Sequence, residues 1–303
     1  MIFDLGRVLL DWVPERPFEQ VMDADAVPAF LERTGFHEWN RQADRRTWAQ
    51  IEAEWCAQHP DDAEAIRAYR RHHLLSIPGY IPGTLALIAE LKQHCITVGA
   101  LSNWSADTFA ATREHFAALD RFDALVISGV EGMAKPEPAI FTLACLRLGV
   151  APKNAVFIDD LAVNVAAAES AGLRGIQFTD ATQLRADLLA LGLPVPGQPH
   201  DVPIFHLSPR EIWEEARAAG EYPWSARGES FDHAGFVHFS FAEQLPATRA
   251  RFYGDLADDQ LVLLRLDPQD DLPVLIEDGY PHLYAPLPWD AVTVLPAVTQ
   301  AAW

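Results

Sequence analysis

The sequence predicts an α/β protein: a doubly wound parallel sheet with a small bundle of helices inserted after its first strand, followed by a smaller α+β domain. Three observations predict it. Apolar runs and helical stretches alternate from Thr84 to Phe178, the pattern of a parallel sheet covered on both faces. A stretch of helical periodicity at about residues 14–80 interrupts that alternation after the first run. Leu193-Pro194-Val195-Pro196-Gly197-Gln198-Pro199 then reads as a linker, and the style of the chain changes beyond it. The expected organisation is a core of residues 1–13 and 81–193, an inserted helical segment of 14–80, a linker of 194–200 and a second domain of 201–303.

The first strand organises the rest. Met1 to Leu10 is an apolar run carrying one carboxylate, Asp4, where the strand should end, and Gly6 follows closely. An acid at the tip of a buried strand is costly unless paired or bound to a metal. Ligands of open parallel sheets sit at the carboxyl ends of the strands. In the next stretch Phe18, Val21 and Met22, then Trp48, Ile51, Trp55 and Cys56, recur at helical spacing between prolines. From Thr84 the expected elements are a helix over Leu85–Gln93, a strand over 96–101, a helix over 107–116, a strand over 124–128, a helix over 138–148, a strand over 155–158, a helix over 162–171 and a strand over 175–178.

The chain has 303 residues, with 23 basic and 43 acidic side chains and a formal charge of -20. That balance argues against gripping nucleic acid or an anionic membrane, since both need basic patches. A small anionic substrate stays compatible with it, because one local cation can outweigh a distant field. Cys56, Cys95 and Cys145 lack metal or staple spacing and read as reduced thiols. No apolar run reaches the ~20 residues that span a bilayer, and no leader precedes Asp4, so a cytoplasmic location is expected. The sequence carries no signal for an oligomeric state.

Four polar signals fall at or after strand ends: Asp4, Ser102-Asn103, Lys135 and Asp159-Asp160. In a parallel sheet with those strands as neighbours, all would face one crevice. Asp4, Asp159 and Asp160 would make an all-oxygen site suited to Mg²⁺. Ser102 could bond a phosphoryl oxygen, and Lys135 could neutralise charge on phosphate and nucleophile. Only three lysines occur in the chain, one of them in this proline-flanked loop.

These pieces resemble the haloacid dehalogenase (HAD) superfamily of hydrolases, in its subgroup of helical-cap phosphatases. The carrying residues are Phe3-Asp4-Leu5-Gly6-Arg7-Val8, Leu101-Ser102-Asn103-Trp104-Ser105, Gly132-Met133-Ala134-Lys135-Pro136-Glu137-Pro138, and Val156-Phe157-Ile158-Asp159-Asp160 with Asn164. The resemblance spans about residues 1–193. It implies a HAD-like Rossmannoid fold, with the inserted helices of 14–80 as an α-helical cap that closes over substrate, and an aspartyl-phosphate intermediate on Asp4. It also implies Mg²⁺ held by Asp4, the Gly6 backbone carbonyl, Asp159 and Asp160. Asn103, Arg7, Asn40 and Arg45 are candidate substrate contacts, with Trp39 and Arg46 beside them on the cap. The substrate implied is a small phosphorylated metabolite, sugar phosphate or nucleotide-like. The departure is Gly6, where most phosphatases of the superfamily carry an aspartate that serves as general acid and base, help worth roughly 10²–10⁴-fold. Two alternatives stay open. The dehalogenases proper also lack that aspartate but need no Mg²⁺. A weak phosphatase-like scaffold could instead leave function to the second domain.

Residues 204–287 resemble the small domain catalogued as domain of unknown function 952, through Ile204-Phe205-His206, Trp213-Glu214-Glu215-Ala216, Gly235-Phe236-Val237-His238-Phe239-Ser240 and the block from Glu277 to Leu287. Phe239 stands where that family usually has cysteine. His206, His238 and His282 lie in or beside apolar strands, with Ser240, Glu277 and Tyr284 near, and together they form a candidate pocket. That family's fold has been likened to ADP-ribosyltransferases, so an ADP-ribose or nucleotide-like ligand is the expectation. Fold analogy does not fix a function.

Overall fold

The structure, a computed structural model, describes residues 1–195, 201–269 and 272–295. Residues 196–200 of the expected linker and 296–303 of the expected second domain lie outside the described residues.

Five parallel strands form the core sheet: β1 (Ile2–Phe3), β2 (Gly99–Ser102), β3 (Ala124–Ile127), β4 (Val156–Asp159) and β5 (Arg174–Gln177), in the order β3-β2-β1-β4-β5. The chain builds outward from β1 through β2 to β3, then returns to β4 on the other side. The order therefore reverses beside β1, and the crevice outside the strand ends at such a point is where ligands bind. Phe3 pairs with Ile158, so the next residues of both strands, Asp4 and Asp159, emerge side by side. β1 is short because the chain curls after Asp4: Val8, Leu9 and Leu10 all donate back to the Leu5 carbonyl, and Arg7 takes a left-handed conformation with φ 59°.

The inserted stretch is helical, as its periodicity predicts. α1 (Val27–Thr34), α2 (Phe36–Gln42), α3 (Trp48–Gln58) and α4 (Ala63–Arg71) enclose a separate aromatic core that includes Phe18, Phe36, Trp48, Trp55 and Tyr69. The sheet is flanked by α5 (Thr84–Gln93), α6 (Ala106–His115), α7 (Ser128–Glu131), α8 (Pro138–Arg147), α9 (Ala162–Ser170) and α10 (Ala181–Ala190). α10 lies beyond the last core element expected from the sequence, the strand over 175–178. Its start is marked by Asp180, whose carboxylate accepts from the Gln183 N–H at 2.8 Å.

The second domain is α+β. β6 (Ile204–Pro209) pairs with β10 (Leu261–Leu266), which pairs with β13 (Val292–Leu295), all antiparallel. A second antiparallel sheet joins β9 (Val237–His238), β12 (Tyr280–Leu283) and β11 (Val274–Glu277), and β7 (Trp224–Ala226) pairs with β8 (Glu229–Ser230). Helices α11 (Arg210–Ala219), α12 (Phe231–Ala234) and α13 (Leu245–Tyr253) complete it. Phe236, Leu275 and Tyr284 share one apolar cluster with Leu85 and Phe116 of the first domain. Gly235 permits that approach: its φ is +83°, and an added Cβ would lie 2.2 Å from Leu85 Cδ2. No helix among the described residues is long and apolar enough to cross a membrane.

Candidate active site

The predicted strand-end residues meet at the tips of β1, β2 and β4. Asp4 is buried, and its Oδ1 accepts from the Leu5 N–H at 2.7 Å and from Ser102 Oγ at 2.8 Å. Lys135 Nζ lies 2.8 Å from Asp4 Oδ1 and 2.7 Å from Asp159 Oδ2, with its side chain 2 % exposed. Asp159 is held further by Asn164 Nδ2, at 3.0 and 3.1 Å to its two oxygens, and by the Leu161 N–H at 2.9 Å. Asp160 reaches the same space half-buried.

Electrostatics follow from this crowding. Burial pushes the Asp4 carboxyl up, against the pull of Lys135. Burial works to lower the Lys135 ammonium, but Asp4 and Asp159 outweigh it and hold it above its ordinary value. Asp160 is raised by burial and by Asp159 beside it. Asp4, Asp159 and Asp160 each offer an oxygen within 4.8 Å of the other two. Three carboxylates against one ammonium leave negative charge in excess. A hard, all-oxygen set with surplus charge fits Mg²⁺.

Above these groups lies a cavity of about 260 Å³, whose walls include Asp4, Gly6, Arg7, Ser102, Asn103 and Lys135 from the core and Asn40, Asp44 and Trp48 from the cap. Of the expected substrate contacts, Asn103, Arg7 and Asn40 thus face the cleft. Asn103 also ties loops together: its Oδ1 accepts from the Lys135 N–H at 2.8 Å, and its Nδ2 donates to the Lys135 carbonyl at 3.0 Å. Arg45 instead pairs with Glu137 of the core, Arg46 pairs with Glu54, and Trp39 packs in the cap's aromatic core. Asp44 escaped the sequence reading. Its only signal is to be an acid among Arg41, Arg45 and Arg46 in the break between two cap helices.

The six second-domain candidates fall into separate networks. His206 is buried, with Nδ1 2.6 Å from the His238 carbonyl and Nε2 2.7 Å from the Tyr222 hydroxyl. Burial lowers its imidazole to about 4. Ser240 Oγ bonds Thr248 Oγ1 at 3.0 Å. His238 packs edge-on against His282. His282 Nδ1 lies 2.9 Å from Glu277, and the Tyr284 hydroxyl donates to the same carboxylate. Arg121, from the first domain, closes the cluster at 2.6 Å from Tyr284 Oη and 3.4 Å from Glu277.

Residues 8–172 match the family model described as haloacid dehalogenase-like hydrolase. Residues 207–295 match the model of a protein of unknown function, DUF952. The chain is 25% identical over 198 residues to a sesquiterpene phosphatase from Aspergillus oryzae, covering 59% of this chain and 89% of that one. It is 31% identical over 133 residues to a phosphatase from Mycobacterium tuberculosis, covering 42% of this chain and 61% of that one. A solved HAD family enzyme from Bacteroides thetaiotaomicron is 23% identical, with a TM-score of 0.46, covering 59% of this chain and 92% of that one.

Proposed function

The chain belongs to the haloacid dehalogenase-like hydrolases, and we propose that it hydrolyses a small phosphomonoester with the help of Mg²⁺. The observation that carries the reading is the convergence of Asp4, Ser102, Lys135 and the Asp159/Asp160 pair on one cleft. The relatives named as phosphatases support the same reaction class.

In this reading the Asp4 oxygen not bonded to Ser102 attacks phosphorus, forming an aspartyl-phosphate as the ester bond breaks. Lys135 steadies the developing charge on the phosphoryl group, and the Ser102 hydroxyl orients Asp4 and turns to a phosphoryl oxygen. Asp4, Asp159, Asp160 and the Gly6 carbonyl would hold Mg²⁺, which neutralises phosphate charge when bound. Asn164 and the Leu161 N–H fix the Asp159 carboxylate for that role. Asn103, Arg7 and Asn40 would touch the substrate, and the cap would set its size.

The test is a panel of phosphorylated metabolites assayed with Mg²⁺ and with chelator. Turnover should require Mg²⁺ and fall by at least ~10⁴-fold in Asp4→Asn. Metal-independent halide release from 2-haloacids, with every phosphomonoester inert, would replace this reading by the dehalogenase one.

A further inference from the structure

We propose that Asp44, carried by the cap, is the general acid and base of this reaction, doing from above the cleft what no side chain does at Gly6. The inference rests on the phosphatase reading.

Asp44 sits in the turn between α2 and α3 and lines the same cavity as Asp4 and Lys135. Its Oδ2 accepts from Asn103 Nδ2 at 3.0 Å, and that amide also bonds the Lys135 carbonyl. The segment carrying it is clamped to the core. Ser105 Oγ donates to the Arg46 carbonyl at 2.9 Å; Asp107 takes the Trp48 N–H at 3.0 Å and the Ala49 N–H at 3.2 Å; Arg45 pairs with Glu137. At Gly6 an added Cβ would meet nothing within 4 Å, so the space beside Asp4 is open.

The charged groups around Asp44 are Lys135 from the core and Arg41 and Arg45 from its own segment; Asn103 faces it as a neutral donor. Against them, burial is the larger influence and raises the carboxyl to about 6. A group near that value can hold a proton and also accept one near neutral pH.

The steps balance. As Asp4 Oδ bonds to phosphorus and the P–O bond to the leaving group breaks, neutral Asp44 gives its proton to the departing oxygen. The Asp44 carboxylate then takes a proton from water as that water bonds to phosphorus. The Asp4–phosphorus bond breaks, and inorganic phosphate leaves with Asp4 ionised and Asp44 neutral again.

The experiment measures kcat/KM of the full chain and of Asp44→Asn with Mg²⁺, on an alkyl phosphomonoester found active in the panel and on p-nitrophenyl phosphate. The nitrophenolate leaves without protonation, so only the alkyl ester needs the acid. The expected result is a loss of roughly 10²–10⁴-fold on the alkyl ester with less than about tenfold on the aryl ester. Wild-type kcat/KM on the alkyl ester should fall as Asp44 loses its proton above about pH 6, and that fall should be absent in the variant. Equal losses on both esters would assign Asp44 a structural role and overturn the proposal, as would no loss on either. A wild-type chain inert to all phosphomonoesters would instead sink the phosphatase reading.

Discussion

Two charge networks in this molecule, one buried and one partly buried, look alike and do opposite things. In the first domain Lys135 lies between Asp4 and Asp159; across the domain boundary Arg121 lies between Glu277 and Tyr284. The first network has three carboxylates around one cation and opens onto a cavity. The second has one carboxylate served by a guanidinium, an imidazole and a hydroxyl. Burial alone would raise Glu277, but His282, Tyr284 and Arg121 hold it below the usual carboxylate range. Its donors are already supplied by the protein, and Arg121 comes from the other domain to supply them. Phe236 stacks on His282 at 4.2 Å and belongs to the cluster shared by both domains. A balanced network of that kind binds parts of a chain together; one with surplus carboxylates has negative charge left over for a cation.

The comparison breaks most visibly at its two cations. In Lys135→Met two buried carboxylates face each other unneutralised, which should cost about 3–5 kcal/mol of stability and abolish turnover. Because Mg²⁺ would bind between those carboxylates, the loss measured by thermal or denaturant unfolding should shrink when Mg²⁺ replaces chelator. Arg121→Met should cost about 1–3 kcal/mol, since Glu277 keeps two donors, with no response to Mg²⁺ and little change in kcat. Equal sensitivity to Mg²⁺ at both positions would erase the distinction.

The sequence makes the first network readable and the second only in part: Glu277, His282 and Tyr284 stand out, and Arg121 does not. An apolar run that ends in an acid is a local signature, and Asp4, Asp159 and Asp160 each carry it; the strand order then places Asp4 and Asp159 side by side. The proline-bounded Lys135 loop was found the same way. Arg121 carries no such mark. It follows an acid in a short helical turn, and its role exists only because Gly235 lets the second domain close on Leu85. The three histidines were visible, but their spacing could not tell a cavity from a core. His206 sits on β6 between buried Phe205 and Leu207, and both its ring nitrogens are taken. Asp44 escapes sequence reasoning for the same reason as Arg121: the cap becomes part of the site only through docking, and docking contacts such as Trp48–Ser105 and Arg45–Glu137 span 57 and 92 residues of sequence.

A smaller effect sharpens the role of that docking. Burial opposes the Asp107 carboxylate, but Ser105 and the Trp48 and Ala49 N–H groups hold it below the usual range. Those N–H groups open α3, where a carboxylate is favoured. Asp107→Ala should cost about 1 kcal/mol of stability. If the clamp positions Asp44, the same variant should lower kcat/KM on the alkyl ester more than on the aryl ester, and a uniform loss would detach the clamp from the chemistry.

The subtlest effect concerns the stability cost of keeping Asp44 where it is. Its carboxyl rises from 3.8 to about 6 on folding, chiefly through burial. Below about pH 4 it is protonated in the folded and unfolded chain alike and costs nothing as a charge. Between about 4 and 6 the folded state still holds a proton that the unfolded state has released, so stability falls as pH rises. Above about 6 the full cost is present. A shift of that size sets a ceiling of about 3 kcal/mol, and solvent at the partly buried side chain reduces it to about 1–2 kcal/mol. Asp44→Asn, which keeps an acceptor for Asn103, should therefore be more stable than wild type by that amount at pH 7.5 and no more stable at pH 4. A variant that gains stability while losing turnover of the alkyl ester separates a residue kept for chemistry from one kept for folding. Arg121→Met, losing stability while keeping turnover, is its mirror on the other side of the molecule.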